Sequence, residues 1–193
     1  MLDNLKKYRI VLASNSPRRR DLMTGLGLDY EVKILPDIDE SFPDTLVGEE
    51  IPVYIARAKA DAYKLLIRPD ELIITADTIV WLEGDVLGKP TDDEDAKEML
   101  RRLSGKTHKV ITGVCLTTTT FRKSFFAVSE VKFATLDDSE IEYYVRHYHP
   151  LDKAGAYGVQ EWIGFVGVEQ ISGSYFNVMG LPVQKLYKEL SKL

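Results

Sequence analysis

The sequence predicts an α/β protein in which helices flank a central mixed β-sheet. Short apolar, β-rich runs alternate with segments of helical periodicity, but without the regular strand–helix period of a doubly wound sheet. In mid-chain, β-prone runs at 109–119 and 123–134 are separated only by Thr120, Phe121 and Arg122, the pattern of a hairpin with no helix between its strands. At 193 residues, 45% hydrophobic and 28% charged, the chain has the composition of a soluble globular protein. It is long enough for a substantial core in one sizeable domain or two small lobes. No repeat or linker divides it, so 1–193 is expected to be a single domain.

The elements follow in order. An apolar run at 8–13 reads as a buried strand and ends abruptly in Ser14, Asn15 and Ser16. Ser16 suits an N-cap, and Pro17 suits the first helical position, where no amide hydrogen is needed. A helix over 18–27 carries Leu22, Met23 and Leu26 as its stripe and stops at Gly27. Alternation at 30–35 predicts a strand, and the acidic, proline-bounded stretch 36–44 a loop. Ile55, Ala58, Ala62 and Leu66, at spacings of three and four, predict a helix over 51–67. The apolar run 72–76 predicts a strand that delivers Asp77 at its C-terminal end. Residues 78–82 continue as a strand that turns through Glu83, Gly84 and Asp85 into Val86 and Leu87. A helix over 92–103 has an acidic first turn and places Arg101 and Arg102 near its end, which suits the helix dipole. A further helix over 138–149 precedes Pro150. A glycine- and aromatic-rich segment comes next, and then a closing helix with Leu186, Leu190 and Leu193.

Whole-chain properties exclude several classes. A net charge of −5 argues against nucleic-acid backbone as the main partner. The lone Cys115 excludes an internal disulfide and fits a reducing compartment. No long apolar run follows Lys6 and Lys7, so a signal peptide is not expected, and no stretch approaches the ~20 apolar residues of a membrane span. The expectation is a cytoplasmic protein with neither membrane nor nucleic acid as partner.

Four polar clusters fall where strands or helices end: residues 14–19, Asp39 with Glu40, Asp77 with Thr78, and Gly88 with Lys89. The first aims helix amides, the Ser14 and Ser16 hydroxyls and guanidinium groups beyond a strand, which makes an anion site with phosphate as the obvious anion. It lacks the P-loop pattern. Ser16 and Pro17 read equally as a plain helix cap, and part of the arginine run as a solvated face. Asp77 follows an apolar strand at the edge where α/β proteins place ligands, and its alternative is a turn residue. Lys89, held between Gly88 and Pro90, is either a positioned charge or an exposed turn lysine. Together the clusters suit nucleotide phosphate chemistry. Arg18, Lys59 and Lys89 would neutralise phosphate oxygens, and Glu40 and Asp77 would hold Mg²⁺, an ion bound by one or two carboxylates plus substrate phosphates. A carboxylate would orient or deprotonate the attacking water. His147 and His149, at a helix end beside Pro150, read as surface or capping groups, His108 has no carboxylate or cysteine near it in sequence, and Cys115 reads as a small buried hydrophobe.

The motifs taken together resemble the Maf family of nucleoside triphosphate pyrophosphatases. They are Leu12-Ala13-Ser14-Asn15-Ser16-Pro17-Arg18-Arg19, Asp39-Glu40, Ala56-Arg57-Ala58-Lys59-Ala60, Ala76-Asp77-Thr78 and Gly88-Lys89-Pro90. Further along come Arg102-Leu103-Ser104-Gly105, Asp152-Lys153-Ala154-Gly155-Ala156-Tyr157-Gly158-Val159-Gln160, Gly173-Ser174-Tyr175 and Asn177-Val178-Met179-Gly180-Leu181-Pro182. The match runs in order over nearly the full length.

The resemblance implies an elongated fold of the Maf/inosine-triphosphatase type with a cleft between two lobes. It also implies cleavage of nucleoside triphosphates between the α- and β-phosphorus with a divalent cation, Mg²⁺, Mn²⁺ or similar. By it Asp77 would accept the proton of the attacking water and also touch the metal. Glu40 would bind metal, and Ser14, Arg18, Lys59 and Lys89 would hold the triphosphate. Ala76-Asp77-Thr78 with a following Gly158-x-Gln160 is similar to the branch that prefers dTTP and UTP, which makes Arg18, Thr78 and Gln160 the specificity positions. The branch for 7-methyl-GTP typically has Gln in place of Thr78. A house-cleaning pyrophosphatase acting as a homodimer is implied. Its alternatives are another base preference, including modified pyrimidine or 7-methyl-guanine nucleotides such as 7-methyl-GTP, or a non-catalytic nucleotide-binding regulator of septum formation. Glu161-Trp162-Ile163-Gly164-Phe165-Val166-Gly167-Val168 departs from the small, glycine-rich sequence expected after Gln160.

Overall fold

The computed structural model describes residues 2–193. Its seven strands are hydrogen-bonded in the order β2-β1-β3-β5-β6-β7, with β4 attached to β3. They are β1 (Arg9–Leu12), β2 (Glu31–Val32), β3 (Glu71–Leu82), β4 (Asp85–Leu87), β5 (Thr107–Thr117), β6 (Arg122–Phe133) and β7 (Val168–Ser172). β1 pairs in parallel with β2 and β3, while β3 with β4 and β6 with β7 are antiparallel, so the sheet is mixed, as the sequence predicts. The helices are α1 (Pro17–Gly25), α2 (Glu50–Ala62), α3 (Asp93–Leu103), α4 (Asp138–Tyr148), α5 (Trp162–Gly167), α6 (Tyr175–Met179) and α7 (Val183–Leu190). Among the described residues no helix is long and apolar enough to cross a membrane.

The chain divides into two compact units, one of residues 1–77, 112–127 and 180–193, the other of 78–111 and 128–179. In the first, Val11 and Leu12 of β1 and Ile73 and Ile74 of β3 are fully buried, as their apolar runs require. Helix α2 lies on this sheet through Ala56 and Ala60, which cluster with Cys115. The buried Thr75 hydroxyl donates to the Ala56 carbonyl at 2.6 Å. Small side chains on both surfaces let the helix come close. Leu186 and Leu190 of α7 are also fully buried.

In the second unit, Leu100 and Leu103 of α3, Ile141 and Tyr144 of α4, and Val80 and Phe133 of the strands form one core. The β3–β4 turn places Glu83 at φ 54° and Gly84 at φ 101°, the two positive values a tight two-residue hairpin demands. Asp137 caps α4 in a reciprocal capping box with Glu140.

Three elements differ from expectation. The run 72–76 and its predicted continuation 78–82 form one unbroken strand, so Asp77 lies within β3 rather than at a strand end, because Thr78, Ile79 and Val80 keep the β-branched pattern. Helix α2 ends at Ala62 rather than 67. Leu65 and Leu66 face solvent, so no burial extends the helix, and Pro69 disfavours helical backbone at Arg68. β2 is only Glu31–Val32, both residues exposed, because the chain then turns inward to pack Leu35 and Ile38 against Val11, Tyr63 and Ile73.

Candidate active site

In the first unit, the strand-to-helix turn after β1 is built by its own serines. The Ser14 hydroxyl accepts the Ser16 amide at 3.3 Å, and the Ser16 hydroxyl caps α1 by accepting the Arg19 amide at 3.4 Å. Of the two readings of Ser16, the helix cap is present in the structure. The Arg19 guanidinium folds back over this turn. Its Nε donates to the Gly180 carbonyl at 2.7 Å and one terminal nitrogen lies 3.5 Å from Ser14 Oγ. Burial pulls its pKa below the ordinary arginine value. The Asp77 carboxylate opposes that, Arg18 adds to it, and Glu40 again opposes it. Arg20 instead donates to the Asn15 side chain at 3.0 Å.

Asp77 lies inside β3, yet it reaches the edge that matters. The last rung of the parallel β1–β3 ladder is Leu12 with Ile74, and β1 then turns away, so Asp77, three residues on, stands beyond the carboxyl end of its neighbour. It is 8% exposed. Helix α2, seated by Ala56, Ala60 and the Thr75 bond, presents Lys59 to it. The Lys59 ammonium lies 2.8 Å from Asp77 Oδ1 and 3.0 Å from Glu40 Oε1. Arg57 points elsewhere, to Ser124.

The loop carrying Glu40 is held by Tyr63, whose phenol donates to the Lys33 carbonyl at 2.7 Å and accepts the Leu35 amide at 3.1 Å. Within the loop, Asp39 is used locally, accepting the Ser41 amide at 2.8 Å. That leaves Glu40 as the residue of the acidic pair that reaches Lys59.

In the second unit, Thr78 is half-buried and Lys89 is exposed, next to Gly88, whose carbonyl accepts the Gly155 amide at 2.9 Å. Gly155 sits at φ 68°, and a Cβ there would come within 2.8 Å of Val80, so this tie needs glycine. The loop of Lys89 is thus bonded to the segment that leads to Gln160. Gln160 is half-buried, with its Oε1 buried and without a hydrogen-bond partner among the described residues.

The family model described as Maf-like protein matches residues 9–193. The chain belongs to the Maf family. It is 72% identical to a dTTP/UTP pyrophosphatase of Bacteroides fragilis, strain ATCC 25285, and 68% identical to one of Phocaeicola vulgatus, over the full length of both chains in each case. A HAM1 protein from Coxiella burnetii shares the fold, with a TM-score of 0.52 at 17% identity over 96% of this chain and 100% of that one.

In this Maf-family chain, ion pairs join Lys59 with Glu40 and Asp77, Ser14 lies against the Arg19 guanidinium, and in the second unit the loop of Lys89 is bonded to the segment that leads to Gln160. Sequence reasoning did not single out Arg19. A signal for it was present, since three consecutive arginines in the first turn of a helix oppose the helix dipole unless they serve an anion. Among the described residues no group of three His, Cys, Asp or Glu side chains gathers at one point. Mg²⁺ does not need three, and two carboxylate oxygens that converge on one ammonium make a hard, cation-binding pair that fits it.

The bypassed histidines and cysteine have structural places. His147 Nδ1 lies 2.7 Å from the Tyr143 carbonyl, and its ring stacks on the Tyr143 ring. Cys115 is fully buried.

Proposed function

We propose that this chain hydrolyses dTTP and UTP to the nucleoside monophosphate and diphosphate. The observation that carries the reading is the convergence of Asp77 and Glu40 on the Lys59 ammonium, in a chain whose full-length relatives are named for this activity.

Phosphate transfer to water requires little covalent work from the protein and much positioning of charge. Asp77 takes a proton from the attacking water as the water oxygen bonds to the α-phosphorus. The bond from that phosphorus to the bridging oxygen breaks, and diphosphate leaves with the electron pair. Ser14, Arg18, Lys59 and Lys89 hold the triphosphate oxygens, and Arg19 stiffens the turn that carries the first two. Glu40 and Asp77 would hold a divalent cation such as Mg²⁺ or Mn²⁺, which supplies positive charge to the phosphate oxygens. Arg18, Thr78 and Gln160 select the base. Gln160 offers a donor and an acceptor to a pyrimidine edge, and a mismatched base leaves such groups buried and unpaired.

The test is diphosphate release from a panel of nucleoside triphosphates with Mg²⁺ or Mn²⁺, by wild type and Asp77→Asn. The expected result is turnover of dTTP and UTP above the other nucleotides, with the variant reduced ~10²- to 10⁴-fold, the range for loss of a general base. Turnover of 7-methyl-GTP far above both pyrimidines overturns the base assignment. Tight nucleotide binding with no turnover of any triphosphate sinks the enzyme reading in favour of a binding regulator. An Asp77→Asn protein as active as wild type removes Asp77 from the proton-accepting role.

A further inference from the structure

Around Gln160 lies a network that the phosphate chemistry does not use. Lys153 is buried to 8% exposure, and its ammonium lies 2.7 Å from Asp152 Oδ1 and 3.1 Å from Glu161 Oε1. The other oxygen of Glu161 accepts a hydrogen bond from the Tyr144 phenol. That phenolic oxygen in turn accepts the Gly158 amide at 3.0 Å. The turn is closed by the Glu161 amide donating to the Gly158 carbonyl at 2.9 Å. Tyr144 is fully buried on α4, and a buried lysine is tolerated only when paired, so these groups hold one another in a single arrangement.

Gln160 sits inside the clamped turn. A Cβ on Gly158 would come within 2.9 Å of Gln160 Nε2 and 2.8 Å of the Glu161 carboxyl carbon, so the glycine leaves room for both side chains. Gln160 Oε1 is buried and has no hydrogen-bond partner among the described residues. A buried acceptor with no donor is costly, and it is satisfied by a ligand that brings an N–H. Uracil and thymine carry such a donor at N3, whereas cytosine presents an acceptor there.

We infer that Glu161, held by Tyr144 and Lys153, is a positioning residue that sets the Gln160 amide for an imide-bearing pyrimidine and against cytosine. The inference rests on the proposed reading of Gln160 as base-facing. Glu161 opens the stretch 161–168, which departs from the small, glycine-rich sequence that the family resemblance leads one to expect.

The experiment compares kcat/KM for dTTP, UTP and CTP in wild type, Gln160→Ala, Tyr144→Phe, Glu161→Ala and Glu161→Gln, with thermal unfolding of each. Tyr144→Phe and Glu161→Ala are expected to narrow the dTTP-to-CTP ratio by about tenfold, mainly through KM for dTTP, since a loosened amide loses the matched hydrogen bond. Glu161→Gln, which still accepts from Tyr144, recovers part of the ratio. A purely structural role would lower Tm and scale all three substrates together, and that result overturns the inference. If Tyr144→Phe does not fold, the partly exposed Glu161 pair decides alone. A wild type with no preference for dTTP and UTP over CTP removes the proposed function itself. Selectivity that survives Gln160→Ala removes the base-facing reading. Selectivity lost in Gln160→Ala but kept in both Tyr144→Phe and Glu161→Ala removes only the role of the clamp.

Discussion

Lys59 and Asp77 form a close ion pair, 2.8 Å between ammonium and carboxylate, and both side chains are largely shielded from water. The same ammonium reaches Glu40, so one lysine holds two carboxylates together. Lys59→Ala leaves those carboxylates facing each other with their shared cation gone. The expected loss is about 1–3 kcal/mol of stability, the usual consequence of removing one partner from a shielded charged pair. It should be accompanied by a fall in kcat/KM of about 100-fold. Mn²⁺ without nucleotide should raise Tm more in the variant than in wild type, because it replaces the missing positive charge. Thermal unfolding with and without Mn²⁺ checks this, and equal shifts in the two proteins would separate the carboxylate pair from metal binding.

Arg19 joins the turn after β1 to the Gly180 carbonyl through Nε and to Ser14 through a terminal nitrogen. A lysine cannot reproduce two directed contacts from one planar group. Arg19→Lys is therefore expected to lower kcat/KM by roughly 10- to 100-fold, as a misplaced phosphate-holding turn would. Arg20, whose guanidinium donates to the neighbouring Asn15 side chain, should tolerate lysine within about twofold. Steady-state kinetics on both variants decide the matter, and equal effects would place Arg19 on the same footing as Arg20.

Much of this was legible in the sequence, for reasons that differ by residue. The Ser16 cap, the Pro17 start and the alternation of strands and helices depend on local chemistry, so they could be read locally. Glu40 could be noticed but not separated from Asp39, because only the folded loop shows Asp39 bonded to Ser41 and Glu40 turned to Lys59. Asp77 was expected at the end of its strand and lies within it. What makes its position an edge is the neighbouring strand stopping at Leu12, a fact about β1 that the residues around Asp77 do not carry. The clamp on Gln160 was invisible for the same reason, since Tyr144 and Lys153 reach it from other elements.

His108 supplies a pH dependence. It is 1% exposed, with Nε2 2.7 Å from the Tyr157 hydroxyl and Nδ1 without a partner among the described residues, and burial lowers its pKa from 6.5 to about 4. In the unfolded chain it titrates near its ordinary value. Above pH 6.5 both states carry a neutral imidazole and full stability is present. Between that value and about pH 4 the unfolded state binds a proton that the folded state refuses, so stability falls as pH is lowered. The loss amounts to about 3 kcal/mol by pH 4. Denaturant unfolding from pH 7.5 to pH 4 should show this slope, and His108→Gln, which keeps a partner for Tyr157, should flatten it. An unchanged slope in the variant would assign the acid sensitivity to other groups.

Two glycines make opposite predictions from the same substitution. Gly113 of β5 lies against the first turn of α2, where a Cβ would come within 2.4 Å of the Pro52 carbonyl group and 2.5 Å of the Val53 nitrogen. Those are backbone atoms, so no side chain can swing aside and the helix must lift. Gly113→Ala is expected to destabilise by about 1–3 kcal/mol, the range for an overpacked contact. Because α2 also carries Lys59, lifting it draws the ammonium away from Asp77, and kcat/KM should fall with stability. Gly25, at the end of α1, has open space around a built Cβ. Gly25→Ala should be neutral or stabilising by up to about 1 kcal/mol, since alanine loses less backbone freedom in a helix. Chemical denaturation and kinetics on the two variants test the pair. A Gly113→Ala protein as stable and active as wild type would show that the contact between β5 and α2 does not set the height of Lys59 above the sheet.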